Sequence, residues 1–96
     1  MPDHPTLVDG QLHLVLLCLA DDDADAARRR LADVEARRQE LTLRERQLTE
    51  LVGLAVDGEP YRFHLLSAEH LAEHPADHGL LTAAEIALGR ATRPSS

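Results

Sequence analysis

The sequence contains no lysine and no tryptophan, and only one cysteine, one tyrosine and one phenylalanine. Each scarcity excludes something. Aromatic side chains carry the most buried area per residue, so this core must be built from Leu, Val and Ala, which suits thin helix–helix seams. The lone Cys18 permits no intramolecular disulfide, and its place in an apolar run reads as that of a small buried hydrophobe. The ten basic residues are all arginine against 17 acidic ones, for a net charge of -7. Affinity for nucleic acid comes from cationic side chains that neutralise phosphate. Anionic membrane surfaces make the same demand, so neither is an expected partner. Arginine without lysine, beside abundant Ala, Leu and Asp, suits a GC-rich bacterial genome.

Long apolar runs are missing too. The most apolar stretch, Leu12–Ala20, has nine residues, against the ~20 needed to span a bilayer. No basic residue precedes it and Asp21-Asp22-Asp23 closes it, which does not fit a signal peptide, so a cytoplasmic protein is expected. The 96 residues suit one domain, 1–96, with loose ends at 1–5 and 92–96. A chain this short buries only about 60–65% of its unfolded surface, and self-association is a common remedy.

Two segments carry strand-like signals. Val8-Asp9-Gly10 reads as a turn. After it, Leu12, Leu14, Leu16 and Cys18 alternate as a strand would, with a short buried helix as the alternative. Further on, Leu54 and Val56 precede Asp57-Gly58, a hairpin turn dipeptide, and Tyr61, Phe63 and Leu65 alternate with Arg62 and His64. The rival reading is a helix with Pro60 in its first turn.

Between them the pattern is helical. Asp21, Asp22, Asp23 and Asp25 offer an N-cap and favourable charge at a helix start, and no Gly or Pro interrupts the chain before Gly53. Ala27, Val34, Leu41, Leu48 and Ala55 recur every seven residues, supported by Leu31 and Val52, which is a one-sided coiled-coil pattern. A helix from Asp22 to Val56 would be roughly 50 Å long at about 1.5 Å per residue. A compact chain of this size is only about 30–35 Å across. Thr42-Leu43-Arg44-Glu45 is a capping box that would break the helix. With no Gly or Pro at residues 38–43, we read one long helix, packed against another copy. Ser67 then caps a helix ending before Pro75, and Thr82-Ala83-Ala84-Glu85 opens a last one.

The expected fold is therefore α+β and helix-dominated: an N-terminal strand or short helix, a long charged amphipathic helix, a short β-hairpin and two short C-terminal helices. An all-α helical bundle is the alternative. Arg28, Arg29, Arg30, Arg37, Arg38, Arg44 and Arg46 interleave with Asp33, Glu35, Glu40, Glu45 and Glu50, and read as mutually screened helix-surface pairs.

His70-Leu71-Ala72-Glu73-His74 resembles the H-x-x-E-H order of the inverzincin metalloproteases, which implies zinc on the two histidines and a water polarised by Glu73. Only 22 residues follow His74, little room for a downstream third ligand and a substrate cleft. A non-catalytic site drawn from His70, His74, His78 and Glu73, taking zinc or nickel, is the milder form. Leu41-Thr42-Leu43-Arg44-Glu45 resembles the opening helix of LuxR-type helix-turn-helix output domains, which implies a DNA-binding regulator. Its expected second helix has no counterpart at the right spacing, since Glu85-Ile86-Ala87 comes about thirty residues late. The leading expectation is a non-enzymatic interaction or assembly module without a cofactor. It would form a homodimer through Ala27, Leu31, Val34, Leu41, Leu48, Val52 and Ala55, and engage a further, unidentified protein.

Overall fold

The structure is a computed structural model that describes the backbone of residues 4–92 and the side chains of residues 8–90. Among these residues there are five α-helices, two 3-10 turns and no strand. The helices are α1 (His4–Ala20), α2 (Ala24–Glu35), α3 (Leu43–Asp57), α4 (Pro60–Glu73) and α5 (His78–Thr92). The 3-10 turns are Arg38–Glu40 and Pro75–Asp77. Most of the loose ends expected at 1–5 and 92–96 lie outside the described residues.

The α+β expectation is overturned, and the reason is periodicity. In α1 the buried residues are Leu12, Val15, Leu16 and Leu19, spaced i, i+3, i+4, i+7 as one helix face requires. A strand would have buried Leu14 with Leu12 and Leu16, yet Leu14 and Leu17 face outward. The hairpin fails in the same way. Phe63, Ser67 and His70 form the inner face of α4, while Tyr61 and Leu65, its expected strand companions, are exposed. Pro60 occupies the first turn of α4, where its missing N–H costs nothing.

The long helix is also corrected: it breaks between α2 and α3. Asp23 caps α2 by accepting from Ala26 N at 3.1 Å. The capping box at Thr42 is complete: Thr42 Oγ1 accepts from Glu45 N at 3.1 Å and Glu45 Oε1 accepts from Thr42 N at 2.9 Å. Leu41 is extended between the two helices and buried. Breaking there lets α2 fold back along α3, where Leu31 Cδ2 comes within 3.6 Å of a Cβ built on Gly53 and Arg28 Nη1 bonds Asp57 Oδ1 at 3.1 Å. An unbroken helix would leave both stripes in water. The radius of gyration, 12.7 Å, is that of a compact chain, about 12–13 Å at this length.

The other two caps are corrected as well. Ser67 lies inside α4 and donates to the His64 carbonyl at 3.2 Å, and Thr82 lies inside α5.

Helix α3 is the centre of the bundle and packs against all four others. Leu48, Leu51, Val52, Leu54, Ala55 and Val56 are buried on it, and each buried Leu or Val contributes roughly 1.5–3 kcal/mol. α1 packs on α2, α3 and α5, and α4 lies against α3 and α5. Two helices end in the same way. Glu59 N bonds the Leu54 carbonyl and Gly58 N the Ala55 carbonyl, with Gly58 left-handed at φ 73°. At the end of α1, Asp23 N bonds the Cys18 carbonyl and Asp22 N the Leu19 carbonyl, with Asp22 at φ 66°. Both are Schellman motifs, one built on glycine and the other on a residue that pays a steric cost there.

Replacing Asp22→Gly should therefore stabilise the protein by about 0.5–1 kcal/mol, read as a raised urea midpoint. An unchanged or lower midpoint would mean that the Asp22 side chain itself holds the turn. Leu48→Asp, at the centre of the expected seam, should cost about 4 kcal/mol or more and unfold the protomer. Retention of full helical circular dichroism by that variant would contradict its place in the core.

Candidate functional site

The α4–α5 junction is fixed locally. Pro75 stops α4, whose last turn closes with His74 N on the His70 carbonyl at 2.8 Å. Asp77 N then bonds the His74 carbonyl at 3.0 Å, which turns the Asp77 side chain inward, where it is only 5% exposed. A lone buried carboxylate is costly, and this one is surrounded by donors. Arg44 Nε donates to Oδ2 at 2.9 Å and Arg44 Nη2 to Oδ1, a two-pronged pair. His70 Nε2–H donates to Oδ2 at 2.7 Å. Arg44 Nη2 also reaches Asp9 Oδ2 on α1 at 3.1 Å. The capping box places Arg44 in the first turn of α3, within reach of both acids.

The charges respond to each other. Burial pushes the Asp77 carboxyl up, but the bonds from Arg44 and His70 outweigh it and hold the group below its usual 3.8. The bond to Asp77 raises the Arg44 guanidinium above its ordinary value; partial burial opposes this and Asp9 adds to it. His70 is enclosed, with 2% of its side chain exposed, and its Nδ1 lies 2.8 Å from Gln47 Oε1. A terminal amide presents an acceptor or, turned by 180°, a donor, so Gln47 can satisfy either state of that nitrogen.

Beside this network, α3 and α4 enclose a shallow groove of about 230 Å³. Gln47, Leu51, Leu66 and His70 line its floor, and the exposed Glu50, Glu69 and Glu73 line its edges. The combination is an apolar strip under three carboxylates, braced from behind by the Asp77 network.

The residues expected to form the dimer seam, Ala27, Leu31, Val34, Leu41, Leu48, Val52 and Ala55, are all in the core of the protomer. The stripe is apolar as read, but the chain covers it with its own helices. Of the metal candidates, His70 and His74 stand together, ring centroids 4.7 Å apart and tilted by 32°. Both His70 nitrogens are engaged by Asp77 and Gln47. His78 is exposed at the start of α5 and Glu73 at the groove edge. Among the described residues, no group of three or more His, Cys, Asp or Glu could hold a metal ion. The arginine pairs also differ from the expected neighbours on one helix. Arg28 meets Asp57, Arg37 meets Gln11 at 2.9 Å, and Arg44 meets Asp9 and Asp77.

Sequence reasoning missed the Arg44–Asp77 pair, whose members are 33 residues apart. The available signals were the capping box that locates Arg44 and the Pro75 that turns the chain at Asp77. Nothing in the residue types marks that carboxylate as a buried one.

Removing Asp77 leaves the buried His70 ring without its carboxylate partner and Arg44 with Asp9 alone. Asp77→Ala should cost about 3 kcal/mol, the lower end for a broken buried pair because Arg44 keeps contact with water. The sign with pH follows from the lowered Asp77 value. Its stabilisation is complete above the usual 3.8 and is lost as pH falls through the lower folded-state value. Urea midpoints of the wild type and Asp77→Ala should therefore stay apart down to the usual carboxylate value of 3.8 and converge only as pH falls below it, through the lower folded-state value. A difference that persists undiminished to the most acid pH at which the protein stays folded would show that the carboxylate charge is not what stabilises the junction.

The chain matches no protein-family model. No curated protein and no solved structure is significantly similar to it.

Proposed function

We propose that this chain is a non-enzymatic protein-interaction module, and that its docking site is the groove between α3 and α4. The partner would present an arginine or lysine side chain on an amphipathic segment. The observation that carries this reading is the arrangement of Glu50, Glu69 and Glu73 around a floor that includes Leu51 and Leu66. Long cationic side chains lay their aliphatic stems on apolar surface and keep the charged head among acids. A groove of about 230 Å³ holds one or two such side chains rather than a whole ligand. Because the Asp77 network already ties α3 to α4, little ordering would be needed on binding. The net charge of -7 would steer a basic segment toward the protein.

A cytoplasmic setting goes with this reading. The chain has a single cysteine, half-buried in α1, and among the described residues no helix is long and apolar enough to cross a membrane.

Titration of isotope-labelled protein with a short peptide alternating Leu and Arg tests the site by NMR. The amides of residues 47–51 and 66–73 should shift, and salt should weaken the effect. The triple variant Glu50→Gln, Glu69→Gln, Glu73→Gln should lose about tenfold in affinity or more. Shifts spread evenly over the acidic surface, or a triple variant that binds as the wild type does, would remove the groove from consideration.

A further inference from the structure

His70 stands where the Asp77 network meets the floor of the groove. Its side chain is 2% exposed, and an oxygen faces each ring nitrogen. Nε2 lies 2.7 Å from Asp77 Oδ2 and Nδ1 lies 2.8 Å from Gln47 Oε1. A neutral imidazole carries a single N–H and can donate to only one of two acceptors. A ring protonated on both nitrogens satisfies the pair. The neighbouring charges favour that extra proton. Arg44 is one cation shared by Asp9 and Asp77, and Asp9 Oδ1 is buried without a hydrogen-bond partner among the described residues. The cluster holds an excess negative charge until His70 is charged as well.

Gln47 turns that proton into a property of the groove. Its half-buried side chain lines the floor beside His70. While Oε1 accepts from His70 Nδ1–H, the amide has only its NH2 left for the groove, and an NH2 donates. An arginine or lysine head also only donates, so floor and cation are mismatched beneath the three carboxylates. A half-turn of the amide removes the mismatch. Oε1 then faces the groove as an acceptor, and the NH2 donates to a Nδ1 that has lost its hydrogen. Nε2–H stays on Asp77 in both states, so the buried carboxylate keeps its partner.

We infer, on the reading of the groove as a cation site, that docking exchanges a proton for the cation: a partner's arginine or lysine turns the Gln47 amide and expels the Nδ1 proton of His70 to solvent. The bound protein then holds one proton fewer. Affinity therefore rises with pH while His70 titrates, by at most about tenfold per pH unit, and falls as acid recharges the ring. The other ionisable groups around the ring are Arg44 and Glu50 on α3, Glu69, Glu73 and His74 on α4, Asp77 in the turn and Asp9 on α1. On α5, His78 is exposed and Glu85 lies 3.9 Å from His64. Carboxylates ordinarily titrate well below histidine. His74, in ring contact with His70 at 4.7 Å between centroids, is the group that could release a proton by plain repulsion, and it needs its own control.

Nitrogen-15 NMR of the histidine rings of the full chain reads the exchange directly at about pH 6, inside the range where histidine changes charge. The free protein should show both His70 nitrogens protonated. Saturation with the alternating Leu and Arg peptide should leave Nε2 protonated and Nδ1 bare, and the Gln47 side-chain amide should shift. Peptide affinity should fall about fivefold or more from about pH 8 to about pH 6. Gln47→Glu is the sharper variant, because a carboxylate accepts from Nδ1–H and from the cation at once. Its affinity should change less than about twofold over the same interval, with the His70 ring doubly protonated when bound. His74→Asn should leave the wild-type exchange intact. Backbone shifts at residues 47–51 and 66–73 with an unchanged His70 ring would overturn the exchange and leave the docking site standing, whereas no backbone shifts would overturn both. A Nδ1 that is bare in the free protein, a Gln47→Glu protein that still loses the proton, or an exchange that disappears in His74→Asn would also overturn the proposal.

Discussion

The Asp77 carboxylate lies where the chain reverses between α4 and α5, and most of the bundle is tied to it. Arg44 brings α3 to it with two hydrogen bonds and extends the link to Asp9 on α1. His70 brings α4 and passes the connection back to α3 through Gln47. Apolar packing supplies most of the stability of such a bundle, but it is non-directional. A buried charge with directional partners is different, because few arrangements satisfy it. The Asp77 network therefore ties α1, α3, α4 and the start of α5 to one point with directional bonds that apolar packing alone does not supply. Removing one member leaves the others desolvated, which is why the pair matters more when broken than when formed.

The same network bears on the groove. Glu50, Glu69 and Glu73 would repel one another if they faced each other across a loose gap. Their helices are held from behind, so the cluster of negative charge persists and is available to a cation.

Much of the local structure was legible in the sequence. The acidic cap at the start of α2, the Thr42 capping box and the stop at Pro75 are interactions within a few residues, and the residues themselves announce them. The box is nonetheless outweighed in the sequence reading by one long helix, and Asp57-Gly58 with Pro60 reads as a hairpin where Gly58 ends α3 and Pro60 opens α4. The apolar stripe from Ala27 to Ala55 was legible too, as inner surface. What covers it was not. The same side chains suit a seam with a second copy or the inside of a folded-back pair, and the choice depends on whether the chain breaks at Leu41. The tripeptide Val-Asp-Gly shows the limit clearly. At Val56–Gly58 it ends α3, while at Val8–Gly10 it lies within α1, where Asp9 faces Arg44. The short apolar runs were ambiguous for a related reason: eight or nine residues of Leu and Val satisfy both periods, and only the surroundings decide which side is wet.

By itself, then, the sequence determined a helix-dominated chain, the capping box at Thr42, the stop at Pro75, the acidic charge, and the apolar stripe from Ala27 to Ala55 as surface that avoids water. The tertiary structure alone decided the fold-back of α2 on α3, the burial of the expected seam, and the burial of Asp77, which with Glu45 is drawn inside from among 17 acidic residues. The physical reason is range. Capping and periodicity act over three or four residues, whereas a buried ion pair 33 residues apart exists only once the helices have met.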